Sequence, residues 1–228
     1  GDLLYVPELH PILPEIYEQG LFSYMKAKNV QISFMVHNIL PLISQDYFAE
    51  HVHKTFSNLI NVVTSYADKI ICVSKSLEEE IRNYLHKNNL LNKSIQITHI
   101  YPGFEIAHKF SDSVDVNDLE VFYNINQKPY FLVNSSIEPW KGHEQVLKAF
   151  EILWERGYDF NLVFLGNKVY KMEDFIVNYI EKHPQKDKKI FWLSYISDDL
   201  TKMFIENAKA AILASEYEGF DFSILEYA

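Results

Sequence analysis

The sequence is poor in glycine. Its 228 residues include seven glycines, and no two of them are spaced as G-x-G. The dinucleotide fingerprint and the P-loop both need clustered glycines, because backbone amides must approach the phosphates closely. The scarcity of glycine therefore argues against an NAD-dependent dehydrogenase and against a P-loop kinase.

The sequence also has a single cysteine and no long apolar run. Cys72 has no second cysteine with which to form a disulfide, and its apolar neighbours in Lys69–Val73 indicate a small core residue. No apolar stretch approaches the roughly 18 residues of a membrane-spanning helix, and no signal peptide starts at Gly1. We therefore expect a reducing, cytoplasmic location, with peripheral contact at the inner face of a membrane left open.

Basic residues are outnumbered. The chain has 21 Lys and Arg against 31 Asp and Glu, which gives a formal net charge of -10. Proteins that bind a nucleic-acid backbone need the opposite balance, so nucleic acid is not an expected partner.

His51 and His53 are two positions apart on a predicted helix, where their side chains diverge, and we expect no metal site.

Short apolar runs alternate with longer helical patterns, which is typical of a parallel α/β sheet. The strand-like runs fall into a first set, Leu3–Val6, Gln31–Val36, Lys69–Val73 and Ile95–Ile100, and a second set, Tyr130–Val133, Asn161–Leu165, Ile190–Leu193 and Ala210–Ala214. The two sets predict two Rossmann-like halves.

Two helices between these runs have recognisable ends. After Lys141, apolar residues recur at three- and four-residue steps from Val146 to Trp154, and Gly157 supplies a C-terminal stop. The segment Ser76–Glu79 has capping-box spacing, which predicts a helix that begins at Ser76.

The stretch between the two sets of runs has few periodic apolar residues and a cluster of aspartates. We place an inter-domain linker at 111–127, a first half at 1–110 and a second half at 128–228. The first half begins on a strand-like run, and the last predicted helix stops at Ala228 soon after it starts. We therefore expect an excerpt of a longer protein, with the first half incomplete and the second truncated.

The strongest signal for function lies near the C-terminal end, where a predicted strand is followed by a loop and a helix. Glu218 and Glu226 have seven residues between them, which places one in the loop and the other in the first helical turn. Both carboxylates are expected to face a crevice at the carboxyl edge of the sheet. Amides near 220–223 would point the same way and favour a bound anion.

This segment resembles the paired-glutamate motif of retaining glycosyltransferases of the GT-B fold, specifically of family four. The run Val133–His143, followed by an amphipathic helix and by Leu162–Gly166, is similar to the donor domain of that family, and Ile196–Leu200 is a further match. In the first half, Val36–Leu42 followed by Asp46–Phe48 resembles bacterial mannosyltransferases of surface-polysaccharide assembly. The resemblance implies an α/β, GT-B-like fold in which two Rossmann-like parallel-sheet halves face a cleft.

The resemblance also implies an activity. It is the retaining, metal-independent transfer of a hexose, with GDP-mannose as the implied donor, to a glycan or lipid-linked acceptor that enters against the first half. No cofactor beyond the nucleotide sugar is implied. The implied catalytic residues are Glu218, His37 and Lys141, and the implied donor-binding residues are Lys141, Ser136, Gly219, Phe220, Asp221 and Glu226.

The implied roles fit the chemistry of these side chains. Glu218 would contact the hydroxyls of the donor sugar and Glu226 those of the ribose, since carboxylates accept paired hydrogen bonds from vicinal diols. Lys141 would stabilise the charge that grows on the leaving diphosphate. His37 would approach the reacting sugar from the other half.

Some positions depart from the family pattern. Ser136 and Trp140 stand where the family often has an arginine, which removes a second phosphate-binding cation. Asp221 lies where Gly-Leu-Pro is usual, and its carboxylate would oppose a phosphate unless it turns away. The alternatives are therefore a sugar-nucleotide-binding protein that has lost catalysis, a scaffold without nucleotide affinity, and a sugar-nucleotide epimerase of similar architecture.

Four of the expected site residues also have a plain structural interpretation. Ser223–Glu226 has capping-box spacing, so Glu226 would merely close its own helix. Glu218 would be a surface carboxylate, Lys141 a solvated first-turn residue and His37 an ordinary strand-end histidine. A lysine is unfavourable near the positive end of a helix, which supports a bound anion beside Lys141.

Overall fold

The computed structural model of the chain describes residues 1–91, 94–103, 115–168, 174–221 and 223–227. By their contacts these residues form two compact units. The first unit comprises Gly1–Gly103 and the short segment Glu218–Phe220, and the second comprises the other described residues. Each unit is built on its own parallel sheet.

The first unit has four parallel strands in the order β1-β2-β3-β4. Its elements are β1 (Leu3–Val6), α1 (Leu13–Glu18), α2 (Leu21–Ala27), β2 (Gln31–Val36), α3 (Leu40–Ile43), a 3-10 turn (Gln45–Tyr47), α4 (Glu50–Tyr66), β3 (Lys69–Cys72), α5 (Lys75–Lys87) and β4 (Gln96–His99). Five of the six β2 residues are buried, as expected for a central strand with helices on both faces. One apolar core surrounds this sheet.

The second unit also has four parallel strands, in the order β7-β6-β5-β8. Its elements are α6 (Val116–Ile125), β5 (Tyr130–Asn134), a 3-10 turn (Pro139–Lys141), α7 (His143–Glu155), β6 (Asn161–Leu165), α8 (Asp174–Lys182), β7 (Ile190–Leu193), α9 (Asp198–Asn207), β8 (Ala210–Ala211) and α10 (Ser223–Glu226). The two central strands, β5 and β6, bring their carboxyl ends to the same edge of the sheet.

The second sheet has a separate apolar core on each face, because successive strand residues point to opposite sides. On β5, Val133 packs in the core with α7 and α8, whereas Tyr130 and Leu132 pack in the core with α6 and α9. The buried Tyr130 hydroxyl donates to the Phe204 carbonyl at 2.7 Å, which satisfies its polar end. Burial raises the pKa of this phenol.

The structure confirms the α/β class and the two parallel sheets predicted from the sequence. All eight predicted strands occur, with β3, β4 and β8 shorter than the apolar runs that predicted them. Gly157 follows α7 with φ of 88°, so the predicted helix stop is also present. The predicted start of α5 at Ser76 is wrong: the N-cap is Ser74, whose Oγ accepts a hydrogen bond from the Leu77 amide.

The stretch 111–127, expected to be a linker, lies partly outside the described residues. Its described part contains α6, in which Phe122 and Ile125 are buried in a core of the second unit. Asp115 caps this helix by accepting a hydrogen bond from the Asn117 amide at 2.7 Å. The exact domain boundary stays a prediction.

Candidate functional site

The loops after β5 and β6 touch through their backbones at the carboxyl edge of the second sheet. The Ile137 amide donates to the Asn167 carbonyl at 3.0 Å, and the Ser135 amide donates to the Leu165 carbonyl at 2.9 Å. Gly166 has φ of 145°, and a Cβ there would overlap the Ser135 carbonyl oxygen. A side chain at position 166 would therefore force the two loops apart.

A second backbone contact joins the turn before α7 to the loop after β8. A Cβ at Gly142 would overlap the Ala214 carbonyl oxygen and lie 2.8 Å from the Ala214 Cβ. The Glu216 amide donates to the Trp140 carbonyl at 2.8 Å, and the Gln145 amide group donates to the Glu216 carboxylate at 2.9 Å. The ends of β5, β6 and β8 thus form one continuous edge.

The amino end of α7 lies on this edge. Its N-cap is Gly142, in the left-handed region at φ of 73°, which has no side chain to accept from the first-turn amides. Lys141 precedes it in the 3-10 turn Pro139–Lys141 and is half-buried. The helix dipole and the lysine charge both favour an anion at this place. The structural interpretation of Lys141 placed it in the first turn of the helix. It is instead the last residue of the 3-10 turn that precedes α7.

His143, the first residue of α7, was not predicted as a site residue from the sequence. Its side chain is 2% exposed, its Nδ1 has no hydrogen-bond partner among the described residues, and its Nε2 lies 3.4 Å from the Ser135 Oγ. Burial, helped by the charge of Lys141, lowers the pKa of this imidazole to about 4. The ring is therefore neutral at pH 7 and adds no positive charge beside Lys141.

The short helix α10 is tied to the end of β5. The Tyr227 hydroxyl accepts a hydrogen bond from the Asn134 amide at 3.1 Å, and the Ser223 hydroxyl donates to the Asn134 carbonyl at 3.3 Å. The Asp221 carboxylate accepts from the Ser223 amide at 2.9 Å, so it caps the helix start. One of the amides expected to hold an anion is thus already paired. The Glu226 side chain lies outside what the structure describes.

Ser136, expected at the donor, is paired within its own loop. Its hydroxyl donates to the Glu138 carboxylate at 3.0 Å. The loop after β5 therefore carries a carboxylate between positions 136 and 140, where the resemblance implies an arginine. Lys141 lies three residues further on, and its amide donates to the Glu138 carbonyl at 3.0 Å.

In the first unit, His37 lies exposed at the end of β2. Its Nε2 is 2.9 Å from the Pro7 carbonyl oxygen, which only accepts, so Nε2 carries the proton and donates. In the neutral ring Nδ1 is then the nitrogen that accepts. The contact holds the ring in one orientation.

The segment Glu218–Phe220 groups with the first unit rather than with the strand that precedes it. The Ser74 hydroxyl donates to the Gly219 carbonyl at 2.6 Å, and a Cβ at Gly219 would overlap the His37 carbonyl oxygen. The Phe220 ring lies 6.3 Å from the Tyr101 ring. The expected site residues His37 and Gly219 are therefore adjacent.

An ionic cluster at the end of β4 was not predicted from the sequence either. Glu78 on α5 accepts hydrogen bonds from His99 at 2.6 Å and from Arg82 at 2.7 Å. Both hydrogen bonds lower the pKa of the Glu78 carboxyl, and the bond from His99 has the larger effect. His99 in turn packs edge-on against Tyr101, at 5.4 Å between ring centroids.

Comparison with known proteins relates the second half of the chain to a known family. Residues 117–228 match the family model described as glycosyl transferases group 1. These residues form a glycosyltransferase group 1 domain. The whole chain is 31% identical over 232 residues to the serotype-specific mannosyltransferase WbdA of Escherichia coli, of which it spans 28%. The resemblance to glycosyltransferases and to bacterial mannosyltransferases is thereby confirmed, and the retaining mechanism stays a prediction.

Solved structures support the same fold. Anabaena HepE in complex with UDP-glucose matches with a TM-score of 0.68 and 17% identity, over 99% of this chain and 57% of that one. A UDP-forming trehalose-phosphate synthase from Burkholderia xenovorans matches with a TM-score of 0.68 and 15% identity, over 99% and 55%. Both are GT-B glycosyltransferases of which this chain covers a part.

All six expected donor-binding residues lie within the glycosyltransferase group 1 domain at 117–228. Ser136 and Lys141 follow β5, and Gly219, Phe220, Asp221 and Glu226 follow β8. The described residues contain no group of three or more His, Cys, Asp or Glu side chains placed to hold a metal ion. His53, from the histidine pair considered above, instead donates to the Pro41 carbonyl at 2.8 Å. None of the described helices is long and apolar enough to cross a membrane.

Proposed function

We propose that the chain is part of a retaining, metal-independent mannosyltransferase. It would transfer mannose from GDP-mannose to a glycan or lipid-linked acceptor, at the cytoplasmic face of a membrane. The relatives that match the whole chain are mannosyltransferases, and HepE, of similar fold, is known with UDP-glucose bound. These similarities support a nucleotide-sugar donor, and the mannosyl group is carried over from WbdA.

One observation carries the proposal: the amino end of α7 has no side-chain cap and is preceded directly by Lys141. Four amides at the start of a helix lack partners within it, and they attract a phosphate group. Because His143 is neutral at pH 7, Lys141 supplies the positive charge next to these amides. A donor diphosphate fits this combination of amides and one cation.

The proposed chemistry follows from that placement. As the bond between the sugar and the diphosphate breaks, negative charge grows on the diphosphate, and Lys141 and the α7 amides stabilise it. The acceptor hydroxyl attacks on the face that the diphosphate vacates and passes its proton to a diphosphate oxygen, which retains the anomeric configuration. Glu218 and His37 would position the sugar, and Glu226 the ribose.

The test is the substitution Lys141→Ala, measured by calorimetry with GDP and with guanosine. Loss of a charge-assisted contact costs about 1.5–3 kcal/mol, so GDP affinity should fall by about tenfold to a hundredfold. Guanosine affinity should hardly change, because it lacks the diphosphate. The matched control is Lys148→Ala, since Lys148 is exposed on the same helix and paired with Glu144.

Equal losses for guanosine and GDP would contradict the proposal, since Lys141 would then act only on the fold. So would a GDP loss that Lys148→Ala reproduces. A panel of GDP-, UDP-, ADP- and dTDP-sugars in thermal shift identifies the base, because a bound donor stabilises the fold by mass action.

A second candidate function is a nucleotide-sugar-binding module without catalysis. The pairing of Ser136 with Glu138 favours it, because this loop then offers a carboxylate in place of a second cation. Donor binding without turnover in the longer natural protein would establish this alternative, and turnover would exclude it. Absence of any nucleotide binding would instead indicate a scaffold.

A further inference from the structure

A cavity of about 460 Å³ lies beside α8. Its walls come from α8 and the residues just after it: Phe175, Asn178, Tyr179, Lys182, His183 and Pro184. None of these residues belongs to the loops that carry the proposed donor site. Pockets for small ligands span about 300–1,000 Å³ and combine aromatic walls with a few polar groups, as this one does.

Two of the lining residues are aromatic and lie side by side on α8. Phe175 and Tyr179 are one helical turn apart, and their rings are almost parallel, at 9°, with centroids 6.1 Å apart. Phe175 is 65% exposed although it is large and apolar. The two rings are stacked, and the exposed Phe175 ring presents an apolar face, which the C–H face of a pyranose ring can cover.

The tyrosine ring is held in place from behind. Its hydroxyl donates to the Glu151 carboxylate at 2.7 Å, and the same carboxylate oxygen accepts from the His183 Nε2 at 2.8 Å. The His183 Nδ1 accepts from the Gln185 amide at 3.1 Å, so the imidazole orientation is fixed as well. A ligand that covers this surface would therefore not have to immobilise the Tyr179 and His183 side chains.

The rim suits a neutral ligand with many hydroxyls. The Asn178 amide and the Lys182 ammonium are exposed hydrogen-bond donors beside the rings, and none of the six lining residues is acidic. An exposed aromatic face with hydrogen-bond donors beside it matches a sugar, which presents C–H groups on one face and hydroxyls at its edge. A protein partner would more readily cover a broad apolar patch than a cavity of this size.

We propose that this aromatic shelf, formed by Phe175 and Tyr179 and bordered by Asn178, Lys182 and His183, binds an oligosaccharide at a site separate from the donor. The choice of a mannose-containing glycan rests on the proposed function. The binding itself depends only on the shelf. It would hold a glycan chain on the protein while the donor site is vacant or occupied.

The test is an NMR titration of the 228-residue chain with α-mannotetraose. We expect shifts at the amides of α8 and of His183, and Phe175→Ala should weaken binding by about fivefold or more. Tyr123→Ala is the matched control, because Tyr123 is 58% exposed in the same unit and lies on α6. Tyr179→Phe keeps the ring and removes its bond to Glu151, so a smaller loss is expected.

Several results would overturn the proposal. They are absence of shifts on α8, equal losses for Phe175→Ala and Tyr123→Ala, and concentration-dependent dimerisation that Phe175→Ala abolishes. Binding at the shelf should not depend on the donor site, so Lys141→Ala should leave tetraose binding unchanged. If GDP binds but no glycan binds the shelf, this inference fails alone; if the tetraose binds and no nucleotide does, the proposed function fails alone.

Discussion

The two sheets end in different ways at their carboxyl edges. In the first unit, most of the contacts at this edge are made by side chains, His37 with the Pro7 carbonyl, Ser74 with the Gly219 carbonyl and His99 with Glu78, beside one close backbone approach of Gly219 to His37. In the second unit, backbone meets backbone at Gly142 and at Gly166, and the buried His143 imidazole lies beside Ser135.

The difference predicts how each edge responds to mutation. A polar pair at a partly exposed edge contributes about 1 kcal/mol, so its loss is tolerated. A backbone contact that leaves no room for a Cβ has no such tolerance, because the clash moves main chain on both sides. The largest effects are therefore expected where backbones meet, as at Gly142 in the second unit, and the smallest at the polar pairs of the first unit.

The largest effect is expected for Gly142→Ala. The new Cβ would overlap the Ala214 carbonyl, and residue 142 also has positive φ, which is unfavourable for alanine. The free energy of unfolding should therefore fall by about 3 kcal/mol or more. Gly157→Ala is the matched control, because Gly157 also has positive φ but has no atom within 4 Å of the position that an alanine Cβ would take. It should cost only about 1 kcal/mol. Equal losses in chemical denaturation would show that the Ala214 loop simply moves away.

The next largest effect concerns pH. His143 has a folded pKa of about 4 against 6.5 in the unfolded chain, so the unfolded state takes up the proton first as the pH falls. The resulting stability is fully present above pH 6.5 and is lost towards pH 4, by about 3 kcal/mol. His143→Leu should flatten this part of the stability profile measured by denaturant titration.

The exposed His51 provides the control for that experiment, since His51→Leu removes a histidine outside the second unit. If the wild type and His143→Leu lose stability in parallel between pH 6.5 and pH 4, then the buried imidazole is not the group that titrates.

Much of the fold could be predicted because strands and helices leave periodic apolar patterns. The runs Gln31–Val36, Asn161–Leu165 and Ile190–Leu193 coincide with β2, β6 and β7, since a strand between helices must be apolar along its whole length. The start of α5 was misplaced because Ser76 and Ser74 are both good caps. The end of β3 decides between them, and that is set by pairing with β2 and β4.

The candidate site was only partly predictable. Lys141 and the helix that follows it were identified, because a strand, a turn and an amphipathic helix succeed each other in the sequence. The burial of His143 and the need for glycine at position 142 depend on Ala214 and Ser135, which are distant in the chain and adjacent only after folding. The hydrogen bond from the Ser223 amide to the Asp221 carboxylate, which caps α10, was not predicted either. Aspartate side chains often accept a hydrogen bond from the backbone amide two residues further on.

The smallest effect is expected in the first unit, for Glu78→Gln. The change keeps the size of the side chain but removes the charge that Arg82 and His99 contact, so the free energy of unfolding should fall by about 1 kcal/mol at pH 7. Because the folded pKa of Glu78 is lowered, its contribution is present above the unfolded value of 4.5 and is lost as the pH falls through the folded value. The variant and the wild type should therefore converge in strongly acidic solution.

Glu79→Gln makes the same charge change at the next, exposed position of α5 and should have little effect at any pH. A gap between the two variants that persists after the carboxyl is protonated would show that packing, not charge, holds the end of β4, and the contrast between the two edges would then be weaker than proposed.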